Sequence, residues 1–169
     1  LLSETVPQAV AALPEMLKSR LEVAQQTRED SMVMAQEIYS SAGVNAVCQP
    51  FFNDVGERLA AAHFVIARAG ASSVSEIACV GRPAIFVPLA IAADDHQTAN
   101  AESLVEAGAA DSVSEAEFTV DALAGLLEVR LMNDSDLAHR AQAARALGRP
   151  DAASLFADAI TALVKGPNP

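Results

Sequence analysis

Apolar side chains recur along the chain at spacings that predict alternating helices and strands. From Leu2 to Leu17 they follow each other every three or four residues, which predicts a helix with one apolar face. Pro7 and Pro14 are expected to mark helix starts or kinks in this stretch. The run His63–Ala67 is continuously apolar, which is typical of a strand buried on both faces of a parallel sheet, and Ala84–Val87 repeats that pattern.

The other elements are predicted from the same periodicities. Arg28–Ser41 is predicted to be a helix with Met32, Ala35 and Ile38 on its inner side, and Gly43 is expected to end it. Further strands are predicted over 21–24, 44–48 and 109–113, and further helices over 54–62, 73–80, 119–131, 134–147 and 151–164, with one more ending at residue 107.

This order of elements predicts the fold class. Strands that alternate with helices indicate one α/β domain over 1–169, Rossmann-like, with three layers, right-handed crossovers, a mostly parallel sheet and a helical C-terminal segment. Ligands of such domains bind outside the carboxyl ends of the strands. The loops to inspect are therefore 51–54, 68–73 and 89–97.

Composition narrows the range of partners. The 169 residues are 51% hydrophobic and carry a net charge of −11, which suits a sizeable core and argues against a nucleic-acid surface. No apolar run approaches the roughly 20 residues that a membrane-spanning helix needs. Cys48 and Cys79 lack the spacing of a metal site or disulfide framework, so we expect two small buried side chains of a protein from a reducing cytosol.

The sharpest candidate site is Arg68-Ala-Gly-Ala-Ser-Ser-Val-Ser-Glu76, where a buried strand meets a helix through small residues. The free amides of a helix start suit a phosphate or a sugar hydroxyl, and Glu76 could accept hydrogen bonds from a ribose diol. Ser73 and Glu76 are also spaced as a capping box, as are Asp54 and Glu57 at the preceding helix. Both interpretations of the Arg68–Glu76 segment stay open from spacing alone.

A second candidate is Asp94-Asp-His-Gln-Thr-Ala-Asn100. Gln97 and Asn100 share one face at a helix start and could hold sugar hydroxyls, although an ordinary polar cap formed by the aspartates is the alternative. One histidine beside two carboxylates lacks the ligand number of a metal site, so no metal is expected. The chain contains no Walker phosphate loop, no dinucleotide-binding glycine motif and no nucleophile elbow.

Four ordered motifs resemble the MurG family of GT-B glycosyltransferases. They are Phe51-Phe-Asn-Asp-Val55, Ala67-Arg-Ala-Gly-Ala-Ser-Ser-Val-Ser-Glu76, Gly81-Arg-Pro-Ala-Ile-Phe-Val-Pro88 and Asp94-Asp-His-Gln-Thr-Ala-Asn-Ala101, within a likeness that spans about 1–113. That family transfers GlcNAc from UDP-GlcNAc to lipid I and so makes lipid II for peptidoglycan. The resemblance implies that 1–169 is the donor-binding C-terminal half of such an enzyme.

The resemblance also assigns roles to individual residues. Phe52 lies at the loop position whose backbone meets the uracil, Glu76 binds the ribose, Gln97 binds GlcNAc hydroxyls, and Arg68 and Asn100 order the neighbouring segments. The helix start that covers the diphosphate and sugar comprises Ala71, Ser72, Ser73, Val74, Ser75 and Glu76. No cofactor and no metal are implied, and no catalytic residue is assigned in this chain.

What the resemblance leaves outside the chain matters for activity. The N-terminal domain that holds lipid I, the membrane-facing patch, the first strand and its Gly-rich loop are expected to be absent, so the chain alone is predicted to be inactive. We expect the complete protein to be cytoplasmic and peripheral on the inner membrane. The last helix, deprived of its usual neighbour, is expected to allow self-association.

Two alternatives stay open, and the first, a non-enzymatic subunit, comes from another class. A free-standing donor-binding subunit that works only with a membrane partner would resemble the donor half of the dolichol-linked GlcNAc transferase. A related UDP-sugar enzyme, either a lipid glycosyltransferase or a UDP-GlcNAc epimerase, is the other alternative. The Asp95-His-Gln-x-x-Asn100 motif favours the transferase over the epimerase.

Overall fold

The computed structural model describes residues 1–89 and 96–165. Strands and helices alternate through its central part, as the apolar pattern predicts. The strands are β1 (Glu22–Gln26), β2 (Asn45–Gln49), β3 (Val65–Ala67), β4 (Ala84–Phe86) and β5 (Ala110–Ser112). The helices are α1 (Leu2–Ala11), α2 (Glu15–Lys18), α3 (Glu29–Ser41), α4 (Val55–Ala61), α5 (Ala71–Val80), α6 (His96–Glu106), α7 (Val120–Leu131), α8 (Asp134–Leu147) and α9 (Ala152–Lys165).

Every strand pairing in the described residues is parallel, but the strands form two sheets. One sheet pairs β1 with β2, and the other has the order β3-β4-β5. Within the described parts of the chain, no ladder joins β1 to β3. Both sheets nevertheless contribute to one hydrophobic cluster, which contains Val23 of β1 and Ile66 of β3. The two sheets therefore share one core although no ladder joins them in the described residues.

Strand β4 shows how the three layers arise. Successive side chains of a strand point to opposite faces. Accordingly, Ile85 and Val87 belong to the cluster shared with α1, α2, α3 and α7, whereas Ala84 and Phe86 belong to a second cluster formed with α5, α6 and α8. The larger sheet thus lies between two helical layers, as predicted.

The smaller sheet has helices on one face only. In β1 and β2 the residues facing the shared cluster are partly buried, and alternate residues are exposed, including Val47. The strand predicted over 63–67 is shorter than expected and only partly buried, and His63 is exposed outside it. In the described residues β3 is an edge strand, with a strand neighbour on one side only.

Three further predictions differ in part from the structure. The buried side of α3 carries Ser31, Ala35 and Tyr39, while Met32 and Ile38 are only partly buried. Pro14 directly precedes α2, as predicted, but Pro7 lies inside α1 and starts no helix. The two cysteines are partly rather than fully buried, and both are free.

Helices α5 and α8 approach closely where each ends. Gly81 ends α5 with φ at +71°, and a Cβ at Gly148 would lie 2.5 Å from the carbonyl oxygen of Ala78. Glycine at 148 therefore lets the backbone after α8 touch α5. On the other side of α8, Arg130 of α7 forms a bidentate pair with Asp111 of β5, at 2.7 and 2.9 Å.

Helix α9 lies apart from this packing. Residues 152–164 are all exposed, and Phe156 and Leu163 have 69% and 82% of their surface accessible. Its apolar stripe, predicted from Leu155 to Val164, faces solvent. Among the helices described, none is long and apolar enough to span a bilayer.

Candidate functional site

The carboxyl ends of β3, β4 and β5 meet at one edge of the larger sheet because all three strands are parallel. The segments that leave this edge begin at Arg68, Val87 and Val113. Two of these segments contain residues that the motifs single out. The edge therefore brings together positions that are far apart in the chain.

Helix α5 begins at this edge with an open N-terminus. Its N-cap is Gly70, which has no side chain to accept a hydrogen bond from the first-turn amides, and the first intrahelical hydrogen bond runs from the Val74 amide to the Gly70 carbonyl at 3.0 Å. Ala71 and Ser72 are exposed. The amides of the first turn lack intrahelical partners by the geometry of an α-helix, and the positive end of the helix dipole lies at this turn.

The capping box predicted at Ser73 and Glu76 is wrong. Because α5 starts at Ala71, Ser73 lies within its first turn and cannot be the N-cap. Ser75 and Glu76 are exposed on the outer side of the helix, whereas Val74 is buried in the second cluster. The Glu76 carboxylate is thus available to a ligand, and Val74 can contribute only backbone groups.

The Phe52 loop follows β2, in the smaller sheet. Phe52 is 5% exposed, and the Arg58 guanidinium lies over its ring, 4.1 Å from the centroid. The capping box predicted at Asp54 and Glu57 is also wrong, because the Asp54 carboxylate accepts a hydrogen bond from Arg58 Nε at 2.8 Å and makes no cap. That hydrogen bond holds the pKa of Asp54 below its usual value.

Gln97 and Asn100 both lie in the first turns of α6 and contact the sheet edge. Asn100 Nδ2 donates to the Ala69 carbonyl at 3.0 Å, directly before the N-cap of α5. Gln97 Oε1 accepts from the Leu89 amide at 3.0 Å. The structure therefore brings Gln97, Asn100 and the start of α5 together. Asp94 and Asp95 lie outside the described residues.

Arg68 joins the three strand ends. Its Nη1 donates to the carbonyls of Val87 and Pro88 at 3.2 and 3.4 Å, and its Nη2 pairs with Glu115 Oε1 at 2.7 Å. Glu115 was missed by sequence reasoning. It lies in an irregular segment after β5, where no periodicity or motif marks it.

In the described residues, no three His, Cys, Asp or Glu side chains lie close enough together to bind a metal ion.

Burial raises the pKa of the Cys48 thiol, and the hydrogen bond between this thiol and Thr27 partly offsets the increase. A cavity of about 220 Å³ beside α7 is lined by Val113, Phe118 and Leu123, among others. It includes none of the predicted site residues.

Comparison with known proteins gives consistent matches. The model of the glycosyltransferase family 28 C-terminal domain matches residues 1–156. A relative from Maricaulis maris, named UDP-N-acetylglucosamine–N-acetylmuramyl-(pentapeptide) pyrophosphoryl-undecaprenol N-acetylglucosamine transferase, is 64% identical over 98% of this chain and 45% of its own length. A relative of the same name from Phenylobacterium zucineum is 49% identical over 98% of this chain and 46% of its own.

A solved structure extends the likeness to three dimensions. MurG of Acinetobacter baumannii superposes with a TM-score of 0.83 at 35% identity, covering 95% of this chain and 45% of that one. The chain therefore spans about half the length of the relatives it matches.

Proposed function

The chain belongs to the glycosyltransferase family 28 C-terminal domain family, and from this membership we propose that it forms the donor-binding half of a transferase. The reaction moves GlcNAc from UDP-GlcNAc to lipid I and yields lipid II. The names of the relatives from Maricaulis maris and Phenylobacterium zucineum support this donor and this transfer.

One observation carries the proposal, namely the uncapped and exposed start of α5 at the carboxyl end of β3. The donor diphosphate lies over the amides of Ala71, Ser72 and Ser73, where the helix dipole and unpaired N–H groups favour negative charge. The failure of the Ser73–Glu76 capping box supports this arrangement, because Glu76 then remains available to the ribose hydroxyls.

The remaining donor contacts follow from the neighbouring loops. The backbone at Phe52 meets the uracil, and the contact between its ring and Arg58 holds that loop. Gln97 donates through its amide nitrogen to GlcNAc hydroxyls, since its oxygen accepts from Leu89. Asn100 donates to the Ala69 carbonyl and so orders residues 71–76 at the start of α5, which we call the diphosphate segment and which includes Ser75.

The inferred chemistry is an inverting displacement. The acceptor hydroxyl attacks the anomeric carbon, the bond to the diphosphate breaks, and UDP leaves. The groups of this chain stabilise the negative charge that develops on the leaving diphosphate. We assign no residue of this chain to the removal of the acceptor proton.

The division of the sheet supports the proposed domain organisation. We propose that a further parallel strand lies between the two sheets, which no ladder joins in the described residues. This strand and a glycine-rich loop belong to the same protein, together with an N-terminal domain that binds lipid I and contacts the membrane. We propose a cytoplasmic location for the complete protein, on the inner membrane surface, and inactivity and self-association for the isolated chain.

Calorimetric titration of the full-length gene product with UDP-GlcNAc and UDP-glucose tests the proposal. We expect UDP-GlcNAc to bind more tightly. Glu76→Ala should weaken its binding by about 1–3 kcal/mol, because the ribose hydroxyls lose a charged hydrogen-bond acceptor. Glu128→Ala, which removes an exposed carboxylate from α7, is the control and should change nothing.

Two results of these titrations would contradict the proposed function. Equal affinity for the two sugars would remove the proposed GlcNAc specificity. A Glu76→Ala variant that loses thermal stability but keeps donor affinity would give Glu76 a purely structural role.

A further inference from the structure

One arginine side chain connects all three strand ends of the larger sheet. Arg68 follows β3, its Nη1 contacts two carbonyls at the end of β4, and its Nη2 pairs with Glu115 after β5. We propose that Arg68 is a positioning residue that sets the orientation of the Gln97 amide and thereby the recognition of the donor sugar. This inference rests on the proposed function.

A short chain of contacts leads from Arg68 to Gln97. Arg68 holds the Pro88 carbonyl at 3.4 Å, and the next residue, Leu89, donates its amide to Gln97 Oε1 at 3.0 Å. A backbone N–H can be accepted by the oxygen of a side-chain amide but not by its nitrogen. The Leu89 amide therefore fixes which end of the Gln97 amide lies toward residue 89, and the NH₂ group at the other end can donate to a ligand.

Arginine suits this task better than lysine. Its planar guanidinium presents five N–H donors in a fixed fork, so it can hold two carbonyls and a carboxylate at the same time. The side chains of Arg68 and Glu115 are 32% and 26% exposed, and ion pairs of that exposure add little stability. The main effect of the Arg68 side chain is therefore on the geometry of segment 87–89.

The diphosphate segment has a different anchor. Asn100 holds the Ala69 carbonyl directly before α5 begins, and the described hydrogen bonds of the Arg68 side chain go to Val87 and Pro88. Loss of the Arg68 side chain should thus disturb the binding of the sugar more than the binding of the nucleotide. UDP and UDP-GlcNAc are the two probes that separate these effects.

The test measures the affinities of UDP and UDP-GlcNAc for variants of the full-length gene product. Arg68→Ala should lower the affinity for UDP-GlcNAc by about five- to tenfold, which is the effect of one or two misplaced hydrogen bonds. It should lower the affinity for UDP by less than about twofold. Arg68→Lys should give an intermediate loss for UDP-GlcNAc, because one ammonium cannot replace all three contacts. Glu115→Gln provides a milder second variant, with a smaller loss in the same direction.

Arg82→Ala is the matched control. Arg82 also donates to backbone carbonyls, those of Leu59 and Ala60, but at the end of α4. It should leave the ratio of the two affinities unchanged. The inference is overturned if Arg68→Ala and Glu115→Gln change both ligands equally or change neither. Failure of the unmodified protein to prefer UDP-GlcNAc over UDP-glucose would instead reject the proposed function.

Discussion

Phe51 and Phe52 are neighbours in the chain but lie in opposite environments. Phe51 has 64% of its surface exposed and Phe52 has 5%, with Arg58 over its ring. Nothing in the Phe-Phe pair distinguishes the two residues, because the loop that contains them has no periodicity. The difference arises from the packing of the loop against α4.

This difference predicts unequal effects of the same substitution. Phe52→Ala should lower the free energy of unfolding of the chain by about 3 kcal/mol, since it removes a buried ring and leaves a cavity. Phe51→Ala should change it by less than about 0.5 kcal/mol, as surface substitutions do. Urea unfolding of both variants measures this, and similar losses would contradict the assigned burial.

The two capping boxes show where a residue pattern fails. Ser73 and Glu76 have the spacing of a capping box, which would make Ser73 the N-cap. In the structure the N-cap is Gly70, in an extended conformation, and α5 begins at Ala71. Asp54 pairs with Arg58 instead of the helix amides. Spacing identifies candidates for a cap, whereas the start of the helix is decided by the turn before it.

At the scale of elements, the contact between α5 and α8 depends on a glycine. Gly148 has a φ of −65°, which any residue can adopt, so the requirement is steric rather than conformational. A Cβ there would meet the Ala78 carbonyl oxygen at 2.5 Å and the Cys79 Cα at 2.7 Å. The backbone of one element lies directly on the backbone of the other.

Gly148→Ala should therefore destabilise the chain by about 1–3 kcal/mol, the usual cost of overpacking. Gly125→Ala is the matched control, because Gly125 lies inside α7 and its Cβ would meet nothing within 4 Å. It should stabilise the chain by about 0.5–1 kcal/mol through helix propensity. Thermal unfolding of both variants tests the contrast, and a neutral Gly148→Ala would contradict the close approach.

At the scale of the whole molecule, α9 exposes the apolar stripe that it was predicted to carry. Helices of this kind usually bury such a face, whereas residues 152–164 are all exposed in this chain. We therefore expect the isolated chain to form oligomers as its concentration rises.

The double variant Phe156→Glu, Leu163→Glu should stay monomeric at concentrations where the unmodified chain associates. Replacing Ser154 and Thr161 with Glu adds the same charge to the opposite side of α9 and should leave association unchanged. Sedimentation velocity over a range of concentrations measures both. This role of α9 would be contradicted if the unmodified chain stayed monomeric at all concentrations. It would also be contradicted if the Ser154 and Thr161 control reduced association as much as the Phe156 and Leu163 variant.

The sequence by itself determined the order of elements, the parallel α/β class and the motifs that lie at the sheet edge. Helix α8 has the predicted bounds, Asp134–Leu147, because long periodic patterns and local start and stop residues are properties of neighbouring positions. Family resemblance added the donor site and its residues, which stay predictions, whereas the family itself is confirmed by the matches.

Only the tertiary structure decided which groups meet. The division into two sheets, the exposure of Glu76, the burial of Phe52 and the contacts of Arg68 with Val87, Pro88 and Glu115 depend on segments that are distant in the chain. Short-range patterns carry no information about such contacts, since these are set by how strands pair and helices pack. The sugar-recognition role proposed for Arg68 therefore follows from the structure and not from its motif.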